Sequence, residues 1–340
     1  MSEMIELSEQ RINELLAAFN GKRIAVVGDL MVDRYYWGVV NRVSPEAPVP
    51  VVEVESESIR LGGAANVANN IHALGGQPLM VGLIGNDHGG SLLLNIVKEQ
   101  GFDVSGIVGD SSRPTTIKTR VIAHGQHVVR IDTEAKTECP EYLHHRIIDA
   151  VKYNIHQLDG VILEDYNKGV FTPDVIRELI DVARKYKKII TVDPKFNNFY
   201  DFKNVTVFKP NRKEVEGVLG GKLDNPEAVA QAGKKLLEML SAENVLLTRG
   251  QDGMSLFERD GTVSHMATLA KNVQDVSGAG DSVISALTMA LSSGSTVREA
   301  AVLANCAGGI AVGAVGIVPV QLSELMSAAL EFSNNNGQGA

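Results

Sequence analysis

Short β-branched apolar runs alternate along this chain with amphipathic stretches of helical period, and few folds accommodate that pattern. Arg23–Gly28 (RIAVVG) reads as a strand buried on both faces. Residues 79–85, 160–163, 188–192, 205–208 and 244–248 repeat the signal. Between most of them, residues 66–74, 89–100, 141–157, 173–187 and 226–240 carry apolar side chains at helical spacing. Such alternation predicts an α/β fold, a mostly parallel central sheet with helices on both faces.

Two segments depart from it. Residues 49–59 alternate apolar and polar positions, and so do residues 115–133, which His124-Gly125 divides into a hairpin. Neither has an accompanying helix. They predict a small antiparallel sheet standing off the main one as a lid or a subunit interface, with its strands within about 34–60 and 113–133. The polar tail at 333–340 is expected to be disordered, which leaves residues 1–332 as a single domain.

The formal charge is −9 and there is no basic tract, which excludes an extended nucleic-acid surface but leaves room for a local basic pocket. Residues 300–323 carry no Asp, Glu, Lys or Arg. Their glycines, Asn305 and Pro319, without flanking basic anchors, predict a buried helix entering a turn rather than a membrane span. The N-terminus has no apolar core of the signal-peptide kind, and two cysteines are too few for a disulfide framework. A reducing, cytoplasmic setting is expected.

The sharpest chemical signal is Asp275-Val276-Ser277-Gly278-Ala279-Gly280-Asp281, followed by a helical pattern. Glycines and small residues at a helix start let backbone N–H groups converge on an anion, and the helix dipole adds to the attraction. Asp281 admits two readings, a helix N-terminal acid favoured by the dipole or a base that takes the proton of an attacking hydroxyl. In Leu61-Gly62-Gly63-Ala64-Ala65-Asn66, the glycines permit close approach to a ligand, and Asn66 is suited to hydroxyls. Asp29 and Asp33, after the first strand, suit a polyol or serve as loop and cap aspartates. Glu164-Asp165, Asp193-Pro194-Lys195, Lys209-Pro210-Asn211 with Glu214, and Thr248-Arg249-Gly250 also follow apolar runs. Each could be a cap or turn, and Asn211 could simply cap a helix beginning near Arg212. Together they place Asp, Asn, Lys, Arg and Thr along one sheet edge, the composition of a phosphate and sugar site. The P-loop, the dinucleotide fingerprint and zinc spacings are absent from the sequence.

These motifs, in this order, resemble the ribokinase-like (PfkB) carbohydrate kinases over residues 22–322, nearly the whole chain. GGAAN is similar to the first family signature and DVSGAGD to the second, with Asn211 and Glu214 as an N-x-x-E match. Ser44-Pro45-Glu46-Ala47-Pro48-Val49-Pro50, Lys118-Thr119-Arg120-Val121 and Glu164-Asp165-Tyr166-Asn167-Lys168-Gly169 resemble a subgroup, the D-glycero-D-manno-heptose-7-phosphate kinases of lipopolysaccharide synthesis.

The resemblance implies a ribokinase-like three-layer sandwich with a β lid, and transfer of the ATP γ-phosphate to the anomeric hydroxyl of a heptose 7-phosphate. It implies Asp281 as base and the amides of Gly278, Ala279 and Gly280 as the anion cradle. Sugar contacts fall to Asp29, Asp33, Gly62, Gly63 and Asn66, and the 7-phosphate to Arg34, Arg120, Arg130 or Lys168. Asn211 and Glu214 are expected to position Mg²⁺ through water. Lys195, Thr248, Arg249 and Gly250 are expected at the nucleotide phosphates, with adenine against residues 304–308, Asn305 included. Ile317 and Pro319 stand where similar chains often read Gly-Thr-x-x-Val, a departure that bears against a monovalent-cation site near residues 310–318. The subgroup also implies a homodimer through the lid. Some members carry an adenylyltransferase half with H-x-G-H; lacking that motif, this chain is expected to depend on a separate adenylyltransferase. No nucleic-acid or membrane partner is expected.

Overall fold

The computed structural model describes residues 7–135, 139–270 and 272–337. Its centre is a nine-stranded sheet. The middle is β1 (Arg23–Gly28), paired in parallel with β4 (Gln77–Gly85) on one side and β8 (Gly160–Glu164) on the other. Outward from β4 lies β5 (Asp103–Asp110), also parallel. Outward from β8 come β9 (Ile189–Asp193), β10 (Val207–Phe208) and β11 (Asn244–Thr248), still parallel. The antiparallel strands β12 (Met254–Glu258) and β13 (Val263–Met266) finish that edge.

Successive residues of β1 face opposite ways, and each face has its own core. Ile24 and Val26 pack with α1 (Glu9–Ala17), α2 (Ala64–Ala73), α3 (His88–Glu99), α8 (Ala279–Ser292), α9 (Val297–Ala311) and α10 (Leu322–Gly337). Ala25 and Val27 pack with α4 (Glu141–Asn154), α5 (Pro173–Lys185), α6 (Arg212–Leu219) and α7 (Pro226–Leu240). This is the three-layer α/β architecture expected from a continuous run of apolar strand residues. The first half of the charge-free stretch falls in α9, whose Ala300–Ala307 are all buried. Among the described residues no helix is long and apolar enough to cross a membrane. Helix α10 runs to Gly337, into the segment expected to be disordered; residues 338–340 lie outside the described residues, as do residues 1–6. Cys139 and Cys306 are both buried and free. Burial pushes their thiols up to about 11 and about 12.

A second, four-stranded sheet forms the lid in the order β3-β2-β6-β7. It consists of two antiparallel pairs, β2 (Leu30–Val43) with β3 (Pro50–Gly63) and β6 (Thr116–Ala123) with β7 (Gln126–Thr133), joined by a parallel contact between β2 and β6. Strand β2 begins at Leu30, ahead of the lid span expected from about residue 34; only Asp29 separates it from β1, so the chain passes directly from the main sheet into the lid.

Candidate active site

The carboxyl ends of β1, β8, β9 and β10 open beneath the N-terminus of α8. Gly278 caps that helix in the left-handed region, φ 77°, and no side chain caps the first turn. The amides of Gly278 and Gly280 are therefore open to an anion, while that of Ala279 donates to the Val276 carbonyl at 3.4 Å. A Cβ on Gly280 would lie 3.4 Å from Asp193 Oδ2 and 3.5 Å from Lys209 Nζ, which places the cradle directly over that pair.

Asp281 follows on the first turn of α8 and is 3% exposed. Asn66, on α2, donates from Nδ2 to its Oδ2 at 2.6 Å, and the Tyr166 hydroxyl donates to Oδ1 at 2.9 Å. Burial raises the Asp281 pKa to about 6; these two donors oppose the rise and the nearby Asp193 adds to it. The aspartate is thus held in one orientation, and near neutrality it remains ionised.

Beneath it lies an acidic cluster. Carboxylate oxygens of Glu164, Asp193 and Asp281 all lie within 4.8 Å of one another. Lys209 Nζ, itself buried, meets Asp193 Oδ2 at 2.7 Å. Glu164 is 1% exposed and neither of its oxygens has a hydrogen-bond partner. Burial first, then Asp193 and Asp281, push its pKa well above the carboxylate range.

The glycine pair at the end of β3 is dictated by close approach. A Cβ on Gly62 would lie 2.1 Å from Asp33 Oδ2, and one on Gly63, at φ 55°, would lie 2.5 Å from the Asp29 carbonyl oxygen. Asp33 is buried and pairs with Arg120. Asp29 accepts from the amides of Tyr166 (2.7 Å) and Lys168 (3.1 Å) through Oδ2, which ties down the loop after β8, while its Oδ1 is buried without a partner.

The other candidates fall in several places. Asn211 and Glu214 form a capping box at the start of α6, with Asn211 N donating to Glu214 Oε2 at 2.9 Å and Glu214 N to Asn211 Oδ1 at 3.0 Å. Lys195 Nζ closes on Glu214 Oε1 at 2.5 Å and lies 5.1 Å from the Tyr166 ring centroid. Thr248 bridges to Asn211, and Arg249 and Gly250 continue into a one-turn 3₁₀ segment, Gly250–Asp252. Asn305 is engaged elsewhere: its Nδ2 donates to the Ala267 carbonyl at 2.7 Å, fastening α9 to the chain after β13. A cavity of about 470 Å³ nearby is lined by Leu269, Gln274, Cys306, Gly309 and Ile310.

Each of the four basic residues considered for a sugar phosphate already holds an acid. Arg34 pairs with Glu57 (3.2 Å), Arg120 with Asp33, Arg130 with Asp132 (2.9 Å) and Lys168 with Glu134 (2.7 Å). Arg34 also stands on the opposite lid face from its strand neighbour Asp33, because successive strand residues alternate. Glu164, Asp193 and Lys209 entered the sequence reading only as members of polar clusters, and Tyr166 only within the 164–169 motif; none was given a role of its own. Their one signal was position, since each follows or ends an apolar run, and single polar residues there are also ordinary caps.

Comparison with known proteins extends this geometry. The family model for pfkB family carbohydrate kinases matches residues 22–321. The "Bifunctional protein HldE" of Geobacter sulfurreducens is 42% identical over 97% of this chain and 67% of its own length. The protein of that name from Helicobacter pylori J99 is 40% identical over 89% of this chain and 65% of its own. The chain thus spans about two thirds of the length of these relatives. Among solved structures, phosphofructokinase-2 from Escherichia coli superposes with a TM-score of 0.75 at 18% identity, over 92% of this chain and 99% of that one. Arabidopsis thaliana ribokinase gives 0.71 at 18%, over 91% and 99%. These structural likenesses are of fold, and they agree with the ribokinase-like sandwich expected from the motifs. With its family signatures gathered around one cradle and the match running nearly end to end, the chain belongs to the pfkB family of carbohydrate kinases.

Proposed function

We propose that the chain transfers the γ-phosphoryl group of ATP to the anomeric hydroxyl of D-glycero-D-manno-heptose 7-phosphate, giving the 1,7-bisphosphate. The observation that carries this reading is the Asp281 carboxylate, oriented by Asn66 and Tyr166 on the first turn of an uncapped helix. ATP as donor draws support from the Arabidopsis ribokinase, which was solved with ribose and ATP. The heptose draws support from the motifs of residues 44–50, 118–121 and 164–169 and from the identity to HldE proteins.

In this reading Asp281 accepts the proton of the attacking hydroxyl while the amides of Gly278 and Gly280 hold the transferring phosphoryl group. Asp33, paired with Arg120, and the backbone at Gly62 and Gly63 face the sugar. Lys195 and the Thr248–Gly250 turn serve the nucleotide phosphates, and the cavity beside Cys306 and Gly309 takes the adenine.

Mg²⁺, when bound, neutralises charge on those phosphates. The unpartnered oxygens of Glu164, together with Asp193, suit a hard cation that prefers oxygen ligands. Asn211 and Glu214, already bonded to each other and to Lys195, fit an outer contact through water. Glu164→Gln is therefore expected to weaken Mn²⁺ binding, read by electron paramagnetic resonance, more than Glu214→Gln does. The reverse order would return the metal to the Asn211–Glu214 pair.

The exposed strand β7, with Val129 and Ile131 facing solvent, supports a lid-mediated homodimer, which sedimentation would detect. Phosphorus NMR of the product tests the main reading, since it reports which carbon is modified and its stereochemistry. A phosphate appearing elsewhere than carbon 1, or no turnover with this heptose, overturns it. The base assignment also fixes a pH profile. A carboxyl raised to about 6 in the free protein is protonated below that pH and cannot take a proton, so kcat/KM should fall towards acid below about 6 and level off above it. A flat profile from pH 5 to 8 would count against Asp281 as base.

A further inference from the structure

On one face of the lid, Asp33, Lys118 and Asp132 stand side by side across β2, β6 and β7. Tyr35, Arg120 and Arg130 form the next rung of the same face. The acids here are already committed, Asp33 to Arg120, Asp132 to Arg130 and, at the rim, Glu134 to Lys168. Lys118 is left over: among the described residues its side chain makes no ion pair or hydrogen bond. Its Nζ lies 5.2 Å from the Tyr166 ring centroid, and the hydroxyl of that ring donates to Asp281 at 2.9 Å. One tyrosine therefore separates Lys118 from the carboxylate proposed as base, a span on the scale of a sugar ring with its side arm.

We infer that Lys118 binds the phosphate of a phosphorylated sugar acceptor and selects that acceptor over its unphosphorylated form. The inference rests on the sugar-kinase reading above and names a residue outside the four basic candidates taken from the sequence. An ammonium half removed from water without a counter-ion is costly, and a dianionic phosphate relieves that cost. The lysine already shows the effect. Burial holds its pKa below the usual lysine value, and the nearby Lys168 and Arg130 lower it further, against the pull of Asp33 and Asp132. Lysine suits the role because it meets phosphate as a compact point charge on a flexible stem, without the fixed fork of arginine. Asp33 and Asp132, kept in check by their own arginines, line the same face and disfavour a second anion.

The test compares Lys118→Gln and Lys118→Arg with the native chain, using D-glycero-D-manno-heptose 7-phosphate and D-glycero-D-manno-heptose as acceptors. For Lys118→Gln the KM for the phosphorylated acceptor should rise about 10- to 100-fold, the size of one lost hydrogen bond to a charged group. The KM for ATP and kcat/KM for the unphosphorylated heptose should hold, and Lys118→Arg should recover part of the loss. Equal losses on both acceptors would make Lys118 a packing residue, and no loss on either would remove it from the site. If neither heptose turns over but fructose 6-phosphate does, the heptose assignment fails. The same comparison on fructose 6-phosphate and fructose then still decides the role of Lys118. A native preference for unphosphorylated sugars overturns the inference outright. Calorimetric titration with inorganic phosphate reads the same contact without turnover. Weaker binding by Lys118→Gln than by the native chain is expected, and equal binding would count against the inference.

Discussion

Asp281→Asn is expected to lower kcat by about 10²–10⁴ while nucleotide still binds, the loss that follows removal of a general base. The substitution is nearly isosteric, and its neighbours show how it is accommodated. Asn66 Nδ2 and the Tyr166 hydroxyl both donate to the native carboxylate. An amide offers one oxygen, which stays with Asn66, and its N–H₂ turns to Tyr166, whose hydroxyl can rotate to accept. The fold therefore survives. Because burial already disfavours the ionised carboxylate, thermal stability at pH 8 should hold or rise. Kinetics at saturating substrates, calorimetry with ATP and a melting curve together check the prediction. Near-native turnover would remove Asp281 from the chemistry, and a collapsed melting curve would make the kinetic loss uninformative.

Lys209→Met should cost about 3–5 kcal/mol of folding stability, the scale for removing one partner of a buried ion pair. Lys209 is 2% exposed and holds Asp193 at 2.7 Å, with Glu164 and Glu214 close enough to raise its pKa. Without it, several buried carboxyl groups face one another with less compensation. The sign of the pH dependence follows from their folded-state pKa values, which for Glu164, Glu214 and Asp281 are raised above those of free carboxyls. Groups raised in this way cost stability as pH climbs from the unfolded value through the folded one, and cost least when protonated. The deficit should therefore be smaller at pH 5 than at pH 8 in urea unfolding. A deficit under about 1 kcal/mol at pH 8 would mean that water or a rearranged Lys195 already shields the cluster.

The main sheet was legible because a strand buried on both faces writes its position in consecutive apolar residues. Arg23–Gly28 and Asn244–Thr248 have the boundaries read from the sequence. The start and the face pattern of β2 were missed because Gly28-Asp29 reads as punctuation and the aromatic run after Arg34 hides the alternation. That omission carried a second one, since only a recognised strand shows Arg34 and Asp33 facing opposite ways. Strand β5 (DVSGIVGD) is broken by two glycines and gives little periodic signal.

Within the site, Asp281, Asn66 and the Gly278–Gly280 turn were visible as glycine-rich entries to helices. Tyr166, by contrast, reaches Asp281 across 115 positions of sequence. Nothing local marks a tyrosine as the neighbour of an aspartate so far along the chain. The capping box of Asn211 and Glu214 was open to both a cap and a metal reading. The structure shows the cap, because the backbone amides at the start of α6 reach both side chains.

The two buried thiols have a practical bearing on the lid. With pKa values pushed up to about 11 and about 12, Cys139 and Cys306 hold almost no thiolate at neutral pH and react slowly with alkylating reagents. A cysteine introduced at Glu46, in the exposed turn between β2 and β3, would then be the one site a maleimide dye labels quickly. Fluorescence from such a tag would report lid motion during turnover without first removing the native sulfurs.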